Sequence, residues 1–141
     1  MSDYPVVLVV DDDASTQRLL VAVLKHPGLK HRAAGDGREA LAIIAAENPA
    51  AVILDLLMPE VDGFEVLRQL SARAPRMLSR VIVITAAMGP RVDDCRELHQ
   101  VWSFFRKPMD IDQLSASLIA CLAASEEKAG RGSTHGALPR P

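Results

Sequence analysis

The chain has 141 residues, 16 Lys and Arg against 18 Asp and Glu, a net charge of −2 and 49% apolar residues. That is enough for one domain with its own core, and the balanced charge gives no reason to expect direct nucleic-acid binding or an anionic membrane surface. No apolar run reaches the roughly 18 residues of a membrane span and no charged-then-apolar leader starts the chain, so the expectation is a soluble cytoplasmic protein.

In chain order, Val6 to Val10 is an unbroken β-branched run of the kind found in strands buried on both faces. From about Ala14 to Lys25 the apolar residues Leu19, Leu20, Val23 and Leu24 recur at helical spacing, and Pro27-Gly28 stops the helix. Lys30 to Ala34 is a short, weaker strand, ended by Gly35-Asp36-Gly37, which reads as a turn. Arg38 to Glu47 is helical with Leu41, Ile44 and Ala45 on one face, and Asn48-Pro49 closes it. Ala51 to Leu54 forms the third strand, ending at Asp55; the Met58-Pro59 to Asp62-Gly63 stretch is a loop. A helix carrying Phe64, Leu67 and Leu70 runs to about Arg73, and Val81 to Ile84 is the fourth strand, ending at Thr85. One helix is predicted from Pro90 to about His99, a fifth strand from Trp102 to Arg106, and a last helix carrying Ile111, Leu114, Leu118, Ile119 and Leu122, capped by Asp110. The stretch from Ser125 to Pro141 lacks a periodic apolar face, so residues 1–124 are expected to form the domain and 125–141 a flexible tail.

Five strands alternating with five helices predict an α/β doubly wound fold, a parallel sheet covered on both faces. Ligands of such sheets bind beyond the carboxyl ends of the strands. Asp11 and Asp12 follow the first strand, Asp55 the third, Thr85 the fourth and Lys107 the fifth, so all five converge on one edge of the sheet. Carboxylates about 4 Å apart repel by roughly 4 kcal/mol at an effective dielectric near 20. A hard divalent cation with oxygen ligands, Mg²⁺ by preference, relieves that repulsion. Cation, ammonium and hydroxyl are the parts that hold a transferring phosphoryl group, and an aspartate among them can serve as nucleophile. Taken singly, each residue has a plainer explanation: Asp13 is assigned to capping the first helix, Thr85 could be an ordinary strand residue and Lys107 a surface lysine. Cys95 and Cys121 are read as thiols, and His26, His31, His99 and His135 form no zinc cluster.

Val9-Val10-Asp11-Asp12-Asp13, Leu54-Asp55-Leu56-Leu57-Met58-Pro59 with Asp62-Gly63, Ile84-Thr85-Ala86 and Phe104-Phe105-Arg106-Lys107-Pro108 together resemble the receiver domains of two-component response regulators. The resemblance covers about residues 6 to 122 and implies a flavodoxin-like (βα)5 fold with five parallel strands in the order 2-1-3-4-5. It implies a signalling switch, not an enzyme beyond its own phosphorylation and dephosphorylation. Asp55 would be the phosphoacceptor; Asp11, Asp12, Asp55 and the backbone carbonyl of Leu57 would ligate Mg²⁺. Thr85 and Lys107 would hold the phosphoryl group, and Phe104 occupies the aromatic switch position. The donor would be a histidine kinase or phosphotransfer protein. The readout face would be the fourth helix, fifth strand and fifth helix, contacting a downstream protein or pairing two copies of the chain.

Three positions depart from the family pattern. Leu57 and Ala87 are apolar where a polar side chain could position a hydrolytic water, which predicts a comparatively long-lived acyl phosphate. Gln100-Val101-Trp102 replaces a small Gly-Ala pair, and Trp102 is either an exposed partner anchor or a packed core residue. Two rivals stay open: a receiver-like interaction module that works without phosphorylation, and a haloacid-dehalogenase-type phosphatase with Asp11 as nucleophile.

Overall fold

The computed structural model describes residues 4–134, and side chains within that span except Val23 and residues 127–134. Among the described residues five parallel strands form one sheet in the order β2-β1-β3-β4-β5, with β1 Val6–Val10, β2 Lys30–Ala34, β3 Ala51–Asp55, β4 Val81–Thr85 and β5 Ser103–Arg106. The helices are α1 Ala14–Leu24, α2 Gly37–Glu47, α3 Gly63–Arg73, α4 Pro90–Asp93 and α5 Ile111–Thr134. The doubly wound architecture and its strand order agree with the sequence reading.

Every residue of β1, β3 and β4 is buried, as continuous apolar runs require in a sheet covered on both sides. Strand alternation divides them. Val7, Val9, Ile53, Ile82 and Ile84 pack with Leu20 and Leu24 of α1 and Leu114 and Leu118 of α5. Leu8, Val10, Val52, Leu54 and Val83 pack with Ile44 of α2 and Val66, Leu67 and Leu70 of α3. The mostly polar run of β2 is legible once its place is known, since it lies at the sheet edge with Lys30, Arg32 and Ala33 exposed.

Aspartates start four of the helices. Asp13 accepts the Ser15 N–H and the Thr16 hydroxyl, Asp36 accepts the Glu39 N–H, Asp62 the Glu65 N–H, and Asp110 the Asp112 N–H at 2.8 Å. Each satisfies amide donors that a helix start leaves without partners. The expected roles of Asp13, Asp110 and the Gly35-Asp36-Gly37 turn agree with this.

Two expected elements differ. The helix from Pro90 to His99 is broken: α4 is a single turn, Cys95 bonds back to Val92 at i−3, and a 3₁₀ helix follows at Arg96–His99. Asp93, Asp94 and Cys95 are weak helix formers set side by side, and the hydrogen bonding tightens there. The last helix does not stop at Ala124 but continues to Thr134, and the Ser125 hydroxyl donates to Ala50 O at 2.9 Å. The start of the predicted tail is therefore helix; residues 135–141 lie outside the described residues, as does the Val23 side chain. A 3₁₀ helix at Pro75–Arg80, absent from the sequence reading, leads into β4. No disulfide joins Cys95 and Cys121. Among the described residues no helix is long and apolar enough to cross a membrane.

Candidate functional site

Strand register builds the site. Val10 stands opposite Leu54, Asp55 opposite Ile84 and Thr85 opposite Arg106, so the ends of β1, β3, β4 and β5 finish level. Asp11, Asp12, Asp55, Thr85 and Lys107 are the residues that immediately end or follow those strands. Asp11, Asp55 and Thr85 are the buried polar side chains of the described core, at 1%, 5% and 0% exposure, whereas Asp12 is exposed.

Lys107 ties two carboxylates together. Its Nζ donates to Asp55 Oδ2 at 3.0 Å and to Asp11 Oδ2 at 3.1 Å. The other oxygens are held by the backbone: Leu57 N–H donates to Asp55 Oδ1 and Asp13 N–H to Asp11 Oδ1. Burial pushes the Asp55 carboxyl above its ordinary range; the Leu57 N–H and the Lys107 ammonium pull it down without cancelling that, and Asp11 adds repulsion. Burial acts the other way on Lys107, but its bonds to Asp55 and Asp11 outweigh burial and leave its ammonium harder to deprotonate than usual. The cluster thus stabilises the Lys107 cation, while burial keeps the Asp55 carboxyl raised despite that cation.

Asp11, Asp12 and Asp55 each offer a carboxylate oxygen, and these oxygens lie within 4.8 Å of one another. An all-oxygen, anionic donor set of this kind fits a hard divalent cation of the Mg²⁺ class. Thr85 Oγ1 accepts the Ala87 N–H at 3.0 Å, which leaves its own proton to donate. Leu57 places its N–H on Asp55 while its side chain is 46% exposed. Phe104 is half-buried against the α2–α3 side of the core.

Residues 7–119 match the response regulator receiver domain family. The chain belongs to that family. It is 34% identical over 133 residues to the response regulator MprA of Mycolicibacterium vanbaalenii, an alignment covering 89% of this chain and 54% of that protein. The chain therefore spans about half the length of the curated relatives it matches. Among solved structures it resembles the receiver domain of Francisella response regulator 1452, with a TM-score of 0.74, 26% identity, and coverage of 86% of this chain and 98% of that one. A CheY-like receiver domain protein from Methanospirillum hungatei shares the fold, with a TM-score of 0.77 at 21% identity over 89% and 99% of the two chains. The dehalogenase-type phosphatase is set aside by this membership. Receiver domains are signalling proteins of two-component systems, and their phosphodonors are histidine kinases.

The receiver site holds contacts that the sequence reading missed. Gln17 Nε2 donates to Asp11 O at 2.6 Å and to Ala34 O at 2.9 Å, tying α1 to the ends of β1 and β2. Its signal was a polar residue on the apolar stripe of Leu20, Val21 and Leu24. Gly63 N–H bonds Leu56 O, and a Cβ on Gly63 would meet Leu56 Cα at 2.6 Å, so only glycine lets α3 start against the Asp55 loop. Arg91 of α4 pairs with Asp62 at 2.9 Å and lies 4.1 Å from the Phe64 ring centroid. Trp102 is 37% exposed, with its indole N–H on Ser117 O, so it is neither a free anchor nor a core residue.

Proposed function

We propose that this receiver domain is a phosphorylation-dependent switch whose acceptor is Asp55. The observation that carries the reading is the Lys107 ammonium shared by two buried carboxylates at the strand ends, with the buried Thr85 hydroxyl on the neighbouring strand. With a phosphohistidine donor, a carboxylate oxygen of Asp55 would form the new P–O bond as the P–N bond breaks, and the imidazole nitrogen would leave with the bonding pair. Lys107 Nζ, already on the Asp55 carboxylate, would follow onto a phosphoryl oxygen, and Thr85 would donate its hydroxyl proton to another. Asp11, Asp12, Asp55 and the Leu57 carbonyl would hold Mg²⁺, whose chemistry is to neutralise phosphoryl charge during transfer.

A phosphoryl group adds about −1.5 to −2 charge at one spot. Recruiting Thr85 to it would bias the loop after β4 and, through Phe104, the α4–β5–α5 face. That face would meet a downstream protein or a second copy of the chain. The phosphodonor would be a histidine kinase or phosphotransfer protein, and the setting cytoplasmic. The receiver unit is proposed over residues 1–124. Borohydride trapping after phosphorylation tests the assignment: peptide mass spectrometry should find homoserine at position 55. Homoserine at position 11 or 12 instead, or no trapped product, would overturn it.

A further inference from the structure

Ala87 is held at both of its backbone polar groups. Its N–H donates to Thr85 Oγ1 at 3.0 Å, and its carbonyl accepts from Arg106 Nη1 at 2.9 Å. It is buried between two exposed neighbours, Ala86 and the 78% exposed Met88, and Gly89 with φ +94° then turns the chain into α4. The segment between β4 and α4 is therefore anchored through one residue.

Arg106 sits opposite Thr85 in the β4–β5 register and two residues beyond Phe104. Strand alternation sends both β5 side chains to the same face, and the guanidinium lies 5.4 Å from the Phe104 ring centroid. A strand-end arginine is ordinarily a solvated charge. This one touches both the loop that follows Thr85 and the ring in the switch position.

We propose that Arg106 is a positioning residue: it latches the Thr85–Ala87 loop to the Phe104 ring and sets the threshold at which an occupied Asp55 site reorganises the β5 face. The inference rests on the reading of Asp55 as acceptor. The Ala87 N–H is bonded to the Thr85 hydroxyl, so displacement of Thr85 towards a phosphoryl oxygen carries Ala87 with it. The Ala87 carbonyl then leaves Arg106, and the guanidinium loses the contact that keeps it over the ring. Conversely, while Arg106 holds that carbonyl, the loop and the ring stay in their present places.

The test uses the full chain labelled with 4-fluorophenylalanine, the Phe104 resonance assigned by Phe104→Leu, and titration with beryllium fluoride and Mg²⁺ as phosphoryl mimic. Arg106→Leu should move the Phe104 resonance towards its saturated position before any mimic is added. It should also lower the half-saturating concentration about fivefold, the weight of one ordinary hydrogen bond, since Arg106 is exposed and its charge is screened. Arg106→Gln should behave likewise, and Arg106→Lys should restore part of the wild-type behaviour, with the Phe105 resonance still in all three. A purely structural role would move Phe105 as well, and that result overturns the latch. So does titration of all three variants at the wild-type concentration with Phe104 unmoved. If wild type itself shows no response to the mimic, the acceptor reading falls first and the latch with it.

Discussion

Replacing Asp55 by Asn should make the metal-free protein more stable at neutral pH. The carboxylate oxygens of Asp11, Asp12 and Asp55 lie within 4.8 Å of one another. At the far end of that range a pair of unit charges repels by roughly 3.5 kcal/mol at an effective dielectric near 20. Asp55 meets this repulsion twice and is offset once, by Lys107 at 3.0 Å, with roughly 5.5 kcal/mol on the same scale. Asp12 is exposed and its repulsion is screened, so the charges roughly balance, and burial of the carboxylate supplies the remaining unfavourable energy, on the order of 1–2 kcal/mol. The direction agrees with the Asp55 carboxyl lying above its ordinary range, chiefly through burial. Its folded value exceeds its unfolded one, so its contribution to stability is full below the ordinary carboxylate range and is lost as pH rises through the folded value. The advantage of Asp55→Asn should therefore be absent in acid and open towards neutral pH. Urea unfolding in chelator at both pH values measures it, with about 1–2 kcal/mol expected at neutral pH. Saturating Mg²⁺ should then favour wild type, because a ligand at 100 times its Kd adds about 2.7 kcal/mol to the state that binds it. An Asn variant no more stable than wild type in chelator at neutral pH would refute the reasoning.

Gly63→Ala should cost about 1–3 kcal/mol, because its Cβ meets backbone atoms that have no room to give. Gly35→Ala, with Gln17 Nε2 at 4.0 Å as nearest neighbour, should stay within about 1 kcal/mol of wild type; equal urea midpoints for the two would contradict the close-approach argument. Leu57→Asn should leave stability within about 0.5 kcal/mol, since the side chain is 46% exposed, and should shorten the acyl phosphate lifetime about tenfold by offering a group to orient water. An unchanged decay, followed by intact mass, would remove Leu57 as a brake on hydrolysis. Acrylamide should quench Trp102 to a degree between buried and free indole; no quenching would place the ring in the core, against its 37% exposure.

What the sequence made legible follows from burial. β1, β3 and β4 are apolar along their whole length because both faces are covered, so the first polar residue after each run marks a strand end. That is how Asp11, Asp55 and Thr85 could be placed on one edge without coordinates. α4 was misread because Pro90 suits a first helical turn and no Gly or Pro follows it before His99, while the weak propensities of Asp93, Asp94 and Cys95 decided the break. The α5 extension was missed because it was judged by its lack of an apolar face, although Glu126, Glu127, Lys128 and Ala129 favour helix on their own. Gln17 stood out only as a polar residue on an apolar stripe, without its partners, and the Arg106 bond to Ala87 O depends on where a long side chain lands across elements, which no local pattern encodes.

Intact mass after incubation with acetyl phosphate, on wild type and Asp55→Asn with and without Mg²⁺, tests the central claim most directly. One added phosphoryl group is expected on wild type with Mg²⁺, and none on the variant or in chelator. A phosphoryl group on the variant, or no adduct on wild type even from a phosphohistidine donor, would contradict it.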